Sequence, residues 1–419
     1  MRVPAPRLLL CATFAAFVTA CSHARPAPTE PGAAAPGLAP PSARSSAGGL
    51  TLRGQPIPER ALAARLQDFD APAGVVVLHY YGAGGWGIRW GKSYLLAAPY
   101  FTNHSVQRLL ASQVSSLVQI VPDEAAVRAG FAGTPVGEVT AVLIAHGHVD
   151  HVADVPGFFA EGLIAGKPAL IADRSTVNIL AAMTSRFGCV APLDYGSGDE
   201  TARCPLAGMR ITPAHHGHAP HLNLAGLDVA AYGGYVKQPR PELPSSADDF
   251  KLGNTWAFLI DLLNERGEVA FRIHYTDAAA SPPHGFFSKE KVAERDVDLH
   301  ISCVPGFEET DDYPGPLLRH HKVRYVIGGH WEDFLQPRSD PLEPLRVVLD
   351  DTALERFVDI VERELPERRG VAPLNKTESD CAPDRCGPHG AAWTLPVPGE
   401  TFRFSTGPSA GPVASPPHR

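Results

Sequence analysis

The six residues His146-Gly-His-Val-Asp-His151 constrain this chain more than any other stretch. They place His146, His148, Asp150 and His151 directly after Val139-Thr-Ala-Val-Leu-Ile144, a short apolar run with the composition of a buried strand. Imidazole and carboxylate together form a nitrogen and oxygen donor set for divalent ions. At a strand end, His146 and His148 can address one cation, while Asp150 and His151 turn toward a second one about 3.5 to 4 Å away. The chain holds 18 His against 3 Met. Even at that abundance, a chance H-x-H-x-D-H behind a buried strand is improbable.

Around the motif, the pattern reads as strand-rich. Val75 to Tyr81, Trp86 to Trp90 and Tyr94 to Leu96 are β-branched and aromatic runs separated by Gly82-Ala-Gly-Gly85 and Gly91-Lys92, an antiparallel start. Gly82-Ala-Gly-Gly-Trp-Gly87 spells G-x-G-x-x-G, but no helix follows it and the next run reads as a strand, which removes a dinucleotide-binding reading. Further strands are predicted at 169–172, 209–212, 228–232, 256–261, 270–275, 299–304 and 324–327, and helices at 104–118, 175–186, 288–294 and 352–363. Strands in two sequential blocks predict two sheets packed face to face with helices outside.

H-x-H-x-D-H behind a buried strand resembles the signature of the metallo-β-lactamase-fold hydrolases. The resemblance implies an α/β fold, a four-layer αββα sandwich of two mixed sheets with outer helices. It also implies three later metal ligands, each from the end of another strand. The first is a His, for which Ile211-Thr-Pro-Ala-His-His-Gly-His-Ala-Pro-His221 offers His215, His216, His218 and His221. Similarity to the lactonase-like branch favours His218, whereas the phospholipase D-like branch would align His216. The second is a bridging Asp, matched by Asp277 after Val269-Ala-Phe-Arg-Ile-His-Tyr-Thr276, and the third is His330 after Val326-Ile-Gly-Gly329. His274, alternating along its strand, reads as core. One departure stands out: the family's Asp-Pro after the third strand is Ala98-Pro99 here. The motif also lacks the Cys ligand of some true β-lactamases, which makes antibiotic hydrolysis a poor fit.

Two divalent ions sharing Asp277 would lower the pKa of a bridging water into the neutral range, so that hydroxide is available without a protein nucleophile. Asp150 would both ligate and accept a hydrogen bond from that water, which makes it the catalytic residue. Zn suits the ligands best, with Mn or Fe as alternatives. Gly-x-Ser-x-Gly occurs only as Gly407-Pro-Ser-Ala-Gly411 in the Pro-rich tail, with no strand-to-helix turn predicted around it, and a serine triad is unsupported. The expected activity is therefore hydrolysis of a lactone, ester or phosphodiester, on a small-molecule or lipid-derived substrate. The alternative is a non-catalytic metal-binding envelope lipoprotein. Residues 239–249 and 307–316 are candidate lids, and Trp331 and Phe334 read as core or pocket wall.

The N-terminus addresses the compartment. Arg2 and Arg7 precede an apolar run from Leu8 to Val18, and Val18-Thr-Ala-Cys21 resembles a bacterial lipobox. The expectation is a signal peptide over 1–20, lipid on Cys21 and anchorage at the outer membrane facing the periplasm. A Pro, Ala and Ser-rich tether would follow over 21–49, then a hydrolase domain over 50–365 and a C-terminal extension over 366–419 ending in a Pro-rich tail. A net charge of -8, from 37 basic and 45 acidic residues, argues against a nucleic-acid partner. Export permits disulfides. Cys381 with Cys386 and Cys189 with Cys204 are the plausible pairs, and Cys303 reads as a buried hydrophobe.

Overall fold

A computed structural model describes residues 66–406 apart from 98, 198–200, most of 221–232, 337–341, 347, 351, 366–370, 372 and 374–391. It also describes the paired strands Thr51–Leu52 and Gln55–Pro56. The leader, the tether, Cys21, Cys381 and Cys386 lie outside the described residues.

Strand β1 (Val75–Gly82) doubles back into β2 (Gly85–Trp90), and Gly91, at φ 54°, turns the chain again into β3 (Ser93–Ala97). Helices α1 (Val106–Val114) and α2 (Glu124–Gly130) come next. Ser105 and Asp123 start them by accepting hydrogen bonds from first-turn N–H groups. The chain then lays down β4 (Ala141–Ile144), one-turn helix α3 (Val149–Val152), β5 (Ala169–Asp173), helix α4 (Arg174–Ile179) and β6 (Cys189–Leu193). A second block supplies β7 (Met209–His216), β8 (Thr255–Leu263) and β9 (Val269–Thr276). It continues through helix α5 (Lys289–Glu294), β10 (Leu299–Cys303), helix α6 (Gly315–His320), β11 (Val326–Gly329) and helix α7 (Ala353–Glu364). Strands β12 (Trp393–Thr394) and β13 (Thr401–Ser405) close it.

The strand orders are β13-β1-β2-β3-β4-β5-β6 and β12-β11-β10-β9-β8-β7. Each sheet is mixed: neighbours are antiparallel through β13-β1-β2-β3 and β7-β8-β9, and parallel beyond. Period-2 pleating sorts the first sheet's side chains. Leu143 and Ile171 join a core shared with Ile211, Phe258, Ile273 and Ile301 of the other sheet. Their neighbours Val142, Ile144 and Leu170 instead pack with Leu109, Val127, Val152 and Phe158 of the helical layer. Phe357, Val358 and Val361 of α7 join the shared core. The result is the αββα sandwich of two mixed sheets. Burying each large apolar side chain contributes about 1.5–3 kcal/mol.

Several expectations need correction. The domain does not stop at 365: β13 pairs with β1 from Thr401↔His79 to Ser405↔Val75, and β12 pairs with β11. Phe402 and Phe404 are wholly buried, and β13 covers what would otherwise be an open sheet edge. The helix expected over 104–118 spans only Val106–Val114, and the one expected over 175–186 breaks into α4 and a 3-10 segment at Ala181–Arg186. Of the strand expected at 228–232, the structure describes Leu227–Asp228, paired with Asn223–Leu224. The remainder falls outside the described residues. Cys189 and Cys204 form a disulfide with Cα atoms 5.8 Å apart, and Cys303 is a buried free thiol. No helix among the described residues is long and apolar enough to cross a membrane.

Candidate metal centre

Every candidate ligand stands where a strand runs out into a loop. His146 follows β4 by two residues, and Gly147 lets the chain pass against Lys251, whose carbonyl a Cβ would overlap. His148 is extended, at φ -69° and ψ 160°, and begins α3, so Asp150 and His151 ride on a helical turn. That change of backbone, from strand to one helical turn, is what sends the two halves of the motif in different directions. His218 lies two residues beyond β7, and Asp277 and His330 directly follow β9 and β11.

The structure brings these side chains into three overlapping groups whose donor atoms lie within 4.8 Å of one another: His146-His148-His218, His146-His151-Asp277 and Asp150-His151-His330. The ring centroids of His146 are 4.6 Å from those of His148, 5.0 Å from His218 and 4.3 Å from His151. Asp150 Oδ2 is 3.2 Å from Nε2 of both His151 and His330. On its other side His151 Nδ1 is 3.0 Å from Asp277 Oδ2, without the alignment of a hydrogen bond. His146 and His151 thus link two outer groups through the Asp277 group.

Of the histidines offered by 211–221, His218 enters the cluster and His216 does not. His218 Nδ1 pairs with the Ala219 carbonyl at 2.7 Å, which leaves Nε2 as its basic nitrogen. His216 is turned away, with Nε2 2.8 Å from the carbonyl of Ala278. His215 stacks against Trp256 and pairs with the Tyr195 carbonyl, and His221 lies outside the described residues. Position 98, where the family's Asp is missing, also lies outside them.

The charges of the cluster are coupled. Burial pulls the His151 imidazolium down, yet Asp150 and Asp277 outweigh it and raise the group to about 9. Burial would raise Asp150, but His151, His330 and His148 hold it well below the usual carboxylate range. Burial and then the surrounding imidazoles drive His146 far below its ordinary value. A divalent cation suits this set. Both ring nitrogens of His146, Nδ1 of His330 and Oδ2 of Asp277 are buried without a hydrogen-bond partner, an expensive arrangement for a site meant to hold nothing.

The chain matches no family model and no curated protein. Solved structures similar to it include metal hydrolases of the metallo-β-lactamase fold, at low identity. An isothiocyanate hydrolase from Delia radicum gut bacteria is 14% identical, covers 78% of this chain and 99% of its own, and superposes with a TM-score of 0.40. Igni18, a metallo hydrolase from Ignicoccus hospitalis, is 12% identical with coverages of 79% and 99% and a TM-score of 0.39. CmlA, a diiron β-hydroxylase from Streptomyces venezuelae, is 12% identical, with coverages of 69% and 51% and a TM-score of 0.38. The likeness is one of fold.

Four supporting residues escaped the sequence reading. The backbone at Gly84 lies so close to the cluster that a Cβ there would overlap Asp277 Oδ1 and come within 2.8 Å of His151 Cε1. Its carbonyl accepts a hydrogen bond from Tyr275 Oη at 3.0 Å. Buried Glu332 accepts from Ala83 N and from Tyr80 Oη, both at 2.6 Å, and the same Tyr80 oxygen accepts from His330 N at 2.8 Å. These bonds hold His330 at φ 67°, a conformation uncommon outside glycine. The signal for Gly84 was visible in Gly82-Ala-Gly-Gly85; its target was not.

The cluster opens into a cavity of about 160 Å³. The expected lids at 239–249 and 307–316 supply none of its described lining; α1 and residues between Phe334 and Val348 form the wall instead. Phe334 lines it, whereas Trp331 is buried with Nε1 bonded to the Pro396 carbonyl at 2.7 Å.

Proposed function

We propose that this protein is a dinuclear metal-dependent hydrolase that cleaves a lactone, carboxylic ester or phosphodiester. The observation carrying this reading is the set of three overlapping donor groups on one side of a cavity. His146, His148 and His218 would hold one ion, Asp150, His151 and His330 the other, and Asp277 would be shared. Zn fits these ligands best, with Mn or Fe compatible. Bound there, the ions would supply Lewis acidity and a water of lowered pKa as the nucleophile.

The chain's own residues do the remaining work. Asp150, kept ionised by its imidazole neighbours, accepts a hydrogen bond from the attacking water at its carboxylate and orients it toward the cavity. His218, with its Nδ1 pinned to a backbone carbonyl, presents Nε2 in one fixed orientation. In the metal-free chain, burial, followed by the nearby Asp277 and Asp150, pushes the Cys303 thiol well above its ordinary value. Lipid at Cys21 and an outer-membrane location facing the periplasm belong to the same proposal, and they rest on the lipobox-like residues alone.

The test is a pH–rate profile on protein of measured metal content. Turnover should rise through one ionisation near neutrality and then level off. A trapped covalent acyl-enzyme, or full activity in metal-free protein, would overturn the reading.

A further inference from the structure

We infer that Asp173, which lies outside the donor groups and the cavity lining, is the positioning residue for one half of the metal centre: it fixes the backbone on which His146 and His148 stand. The inference rests on the dinuclear reading above and deepens it.

A metal-ligating imidazole is normally oriented through its second ring nitrogen, which donates to a carbonyl or carboxylate. His218 has such a partner in the Ala219 carbonyl. His146 does not: both of its ring nitrogens are buried without a hydrogen bond. The rings packed around it, those of His148, His151 and His218, are themselves candidate ligands, so its orientation depends on the main chain on either side. Two backbone bonds hold that chain. Trp256 N donates to the Ala145 carbonyl at 3.0 Å, and Gly147 N donates to the Leu252 carbonyl at 2.9 Å. His146 is thus fixed between two bonds to one segment, 252–256, and His148 follows directly.

Asp173 is what ties that segment down. It ends β5, the neighbour of β4 in the sheet, and is wholly buried. Its Oδ1 accepts from Asn254 Nδ2 at 2.8 Å and from Trp256 Nε1 at 3.3 Å, while its Oδ2 accepts from Ser175 N at 2.7 Å. One carboxylate therefore joins segment 252–256 to the start of α4. The two sides meet at Gly147, where a Cβ would overlap the Lys251 carbonyl and lie 3.2 Å from Thr176 Oγ1. A carboxylate buried this deeply is costly unless its oxygens are bonded. An apolar side chain could fill the space, but it could not draw three donors from two elements to one point. On the opposite flank of β4, the residue after β3 is Ala98, which can supply no carboxylate.

The second half of the centre is held by other elements. Asp150 and His151 ride on α3, and His330 is tied through Tyr80 and Glu332. Loosening the Asp173 network should therefore act on one ion far more than on the other.

The experiment is zinc titration of the metal-free full chain by calorimetry, with His148→Ala and His330→Ala identifying which binding step belongs to which half. Asn254→Ala removes one bond to Asp173 at a half-buried position, so the fold is spared. Trp256→Phe removes another and keeps a ring packed against His215. Each should weaken the step that His148→Ala abolishes by about tenfold, and Asp173→Asn by about as much or more, while the step that His330→Ala abolishes stays within about twofold. Deuterium exchange at the Gly147 amide of metal-free protein reads the same arm without metal, and it should quicken by about tenfold in all three variants. Equal weakening of both steps would make Asp173 a support of the fold alone and overturn the inference, as would unchanged affinities in Asn254→Ala and Trp256→Phe. A parent chain that takes up no metal would overturn the dinuclear reading instead. Gly147 exchange then decides by itself whether Asp173 fixes this arm, and unchanged exchange removes the inference as well.

Discussion

Two buried clusters of histidine lie in this molecule, and their contrast explains which one can hold metal. The first gathers His146, His148, His151, His218 and His330 around Asp150 and Asp277, beyond strand ends and beside a cavity. The second joins His274 and His300, paired in register on β9 and β10, with His321 just after α6. The ring of His274 is 4.9 Å from that of His300 and 4.4 Å from that of His321. In this second cluster only some nitrogens are spent on backbone: His321 Nδ1 pairs with the Leu317 carbonyl at 3.0 Å and its Nε2 accepts from Phe287 N at 3.2 Å, while both ring nitrogens of His274 and Nε2 of His300 are buried without a hydrogen-bond partner, and what the cluster lacks is a carboxylate. His300 Nδ1 pairs with the His274 carbonyl at 3.2 Å. Beyond burial, the charged groups acting most strongly on these rings are other imidazoles and, for His321, Arg272. Composition alone does not make a site. Carboxylates and strand ends facing open space do.

The largest test of that contrast is removal of a carboxylate. Asp277→Ala should lower metal content by at least one ion per chain, while His274→Leu in the second cluster should keep the full complement; elemental analysis reads both. At matched metal content, Asp150→Asn should cost roughly 10²–10⁴-fold in kcat, because the amide cannot accept and hold the water proton as the carboxylate does. Equal metal loss in His274→Leu and Asp277→Ala would erase the distinction.

Next in size is the acid response of the closed cluster. Burial holds His300 and His321 at about 3, against an ordinary 6.5, so they remain neutral in the folded chain while the unfolded chain takes up protons below pH 6.5. Each should therefore remove about 1.4 kcal/mol of stability per pH unit as pH falls from 6.5 toward 3. Denaturant titrations of metal-free protein at several pH values read this slope. His300→Leu should make it shallower, and an unchanged slope would mean that the second cluster is hydrated or already charged.

The sequence carried much of this, and where it did not, the missing information was three-dimensional. H-x-H-x-D-H, Asp277 and His330 were legible because each follows an apolar strand. His218 and His216 could not be separated by periodicity, since His216 ends β7 and His218 lies only two residues beyond it, with Gly217 between them. Strand β13 was missed although Thr401-Phe-Arg-Phe-Ser405 alternates cleanly, because its partner β1 lies at the other end of the chain. Composition placed the segment beyond 365 in an extension; the open edge of β1 draws part of it into the first sheet. His274 was read as core, and its ring is wholly buried.

Gly84→Ala tests whether the first cluster depends on backbone approach. The new methyl overlaps Asp277 Oδ1, so either the β1–β2 turn or Asp277 must move. Overpacking of this kind costs about 1–3 kcal/mol. Thermal denaturation should show that loss together with weaker metal binding, whereas Gly91→Ala, which meets nothing within 4 Å, should leave metal binding unchanged apart from the strain of its positive φ.

The smallest expected effect isolates how the last histidine is held. Tyr80 Oη accepts from His330 N at 2.8 Å and donates to Glu332 Oε2 at 2.6 Å, so one hydroxyl ties the loop after β11 to β1. Tyr80→Phe keeps the ring, which packs 4.6 Å from Trp86, and removes that link together with the bond from Tyr80 Oη to the Ala83 carbonyl at 3.1 Å. Losing it should cost about 1 kcal/mol of stability. It should also weaken metal at the His330 side by roughly ten- to a hundredfold, the usual penalty when a ligand loses its orienting partner. Stepwise metal titration separates the two ions: the weaker step should shift in Tyr80→Phe and the other should not. The closed histidine cluster has no part in this bond, so the acid slope measured above should be the same in the variant. If both metal steps weaken equally, the hydroxyl supports the whole cleft rather than His330, and the contrast between an oriented, open cluster and a closed one would rest on the carboxylates alone.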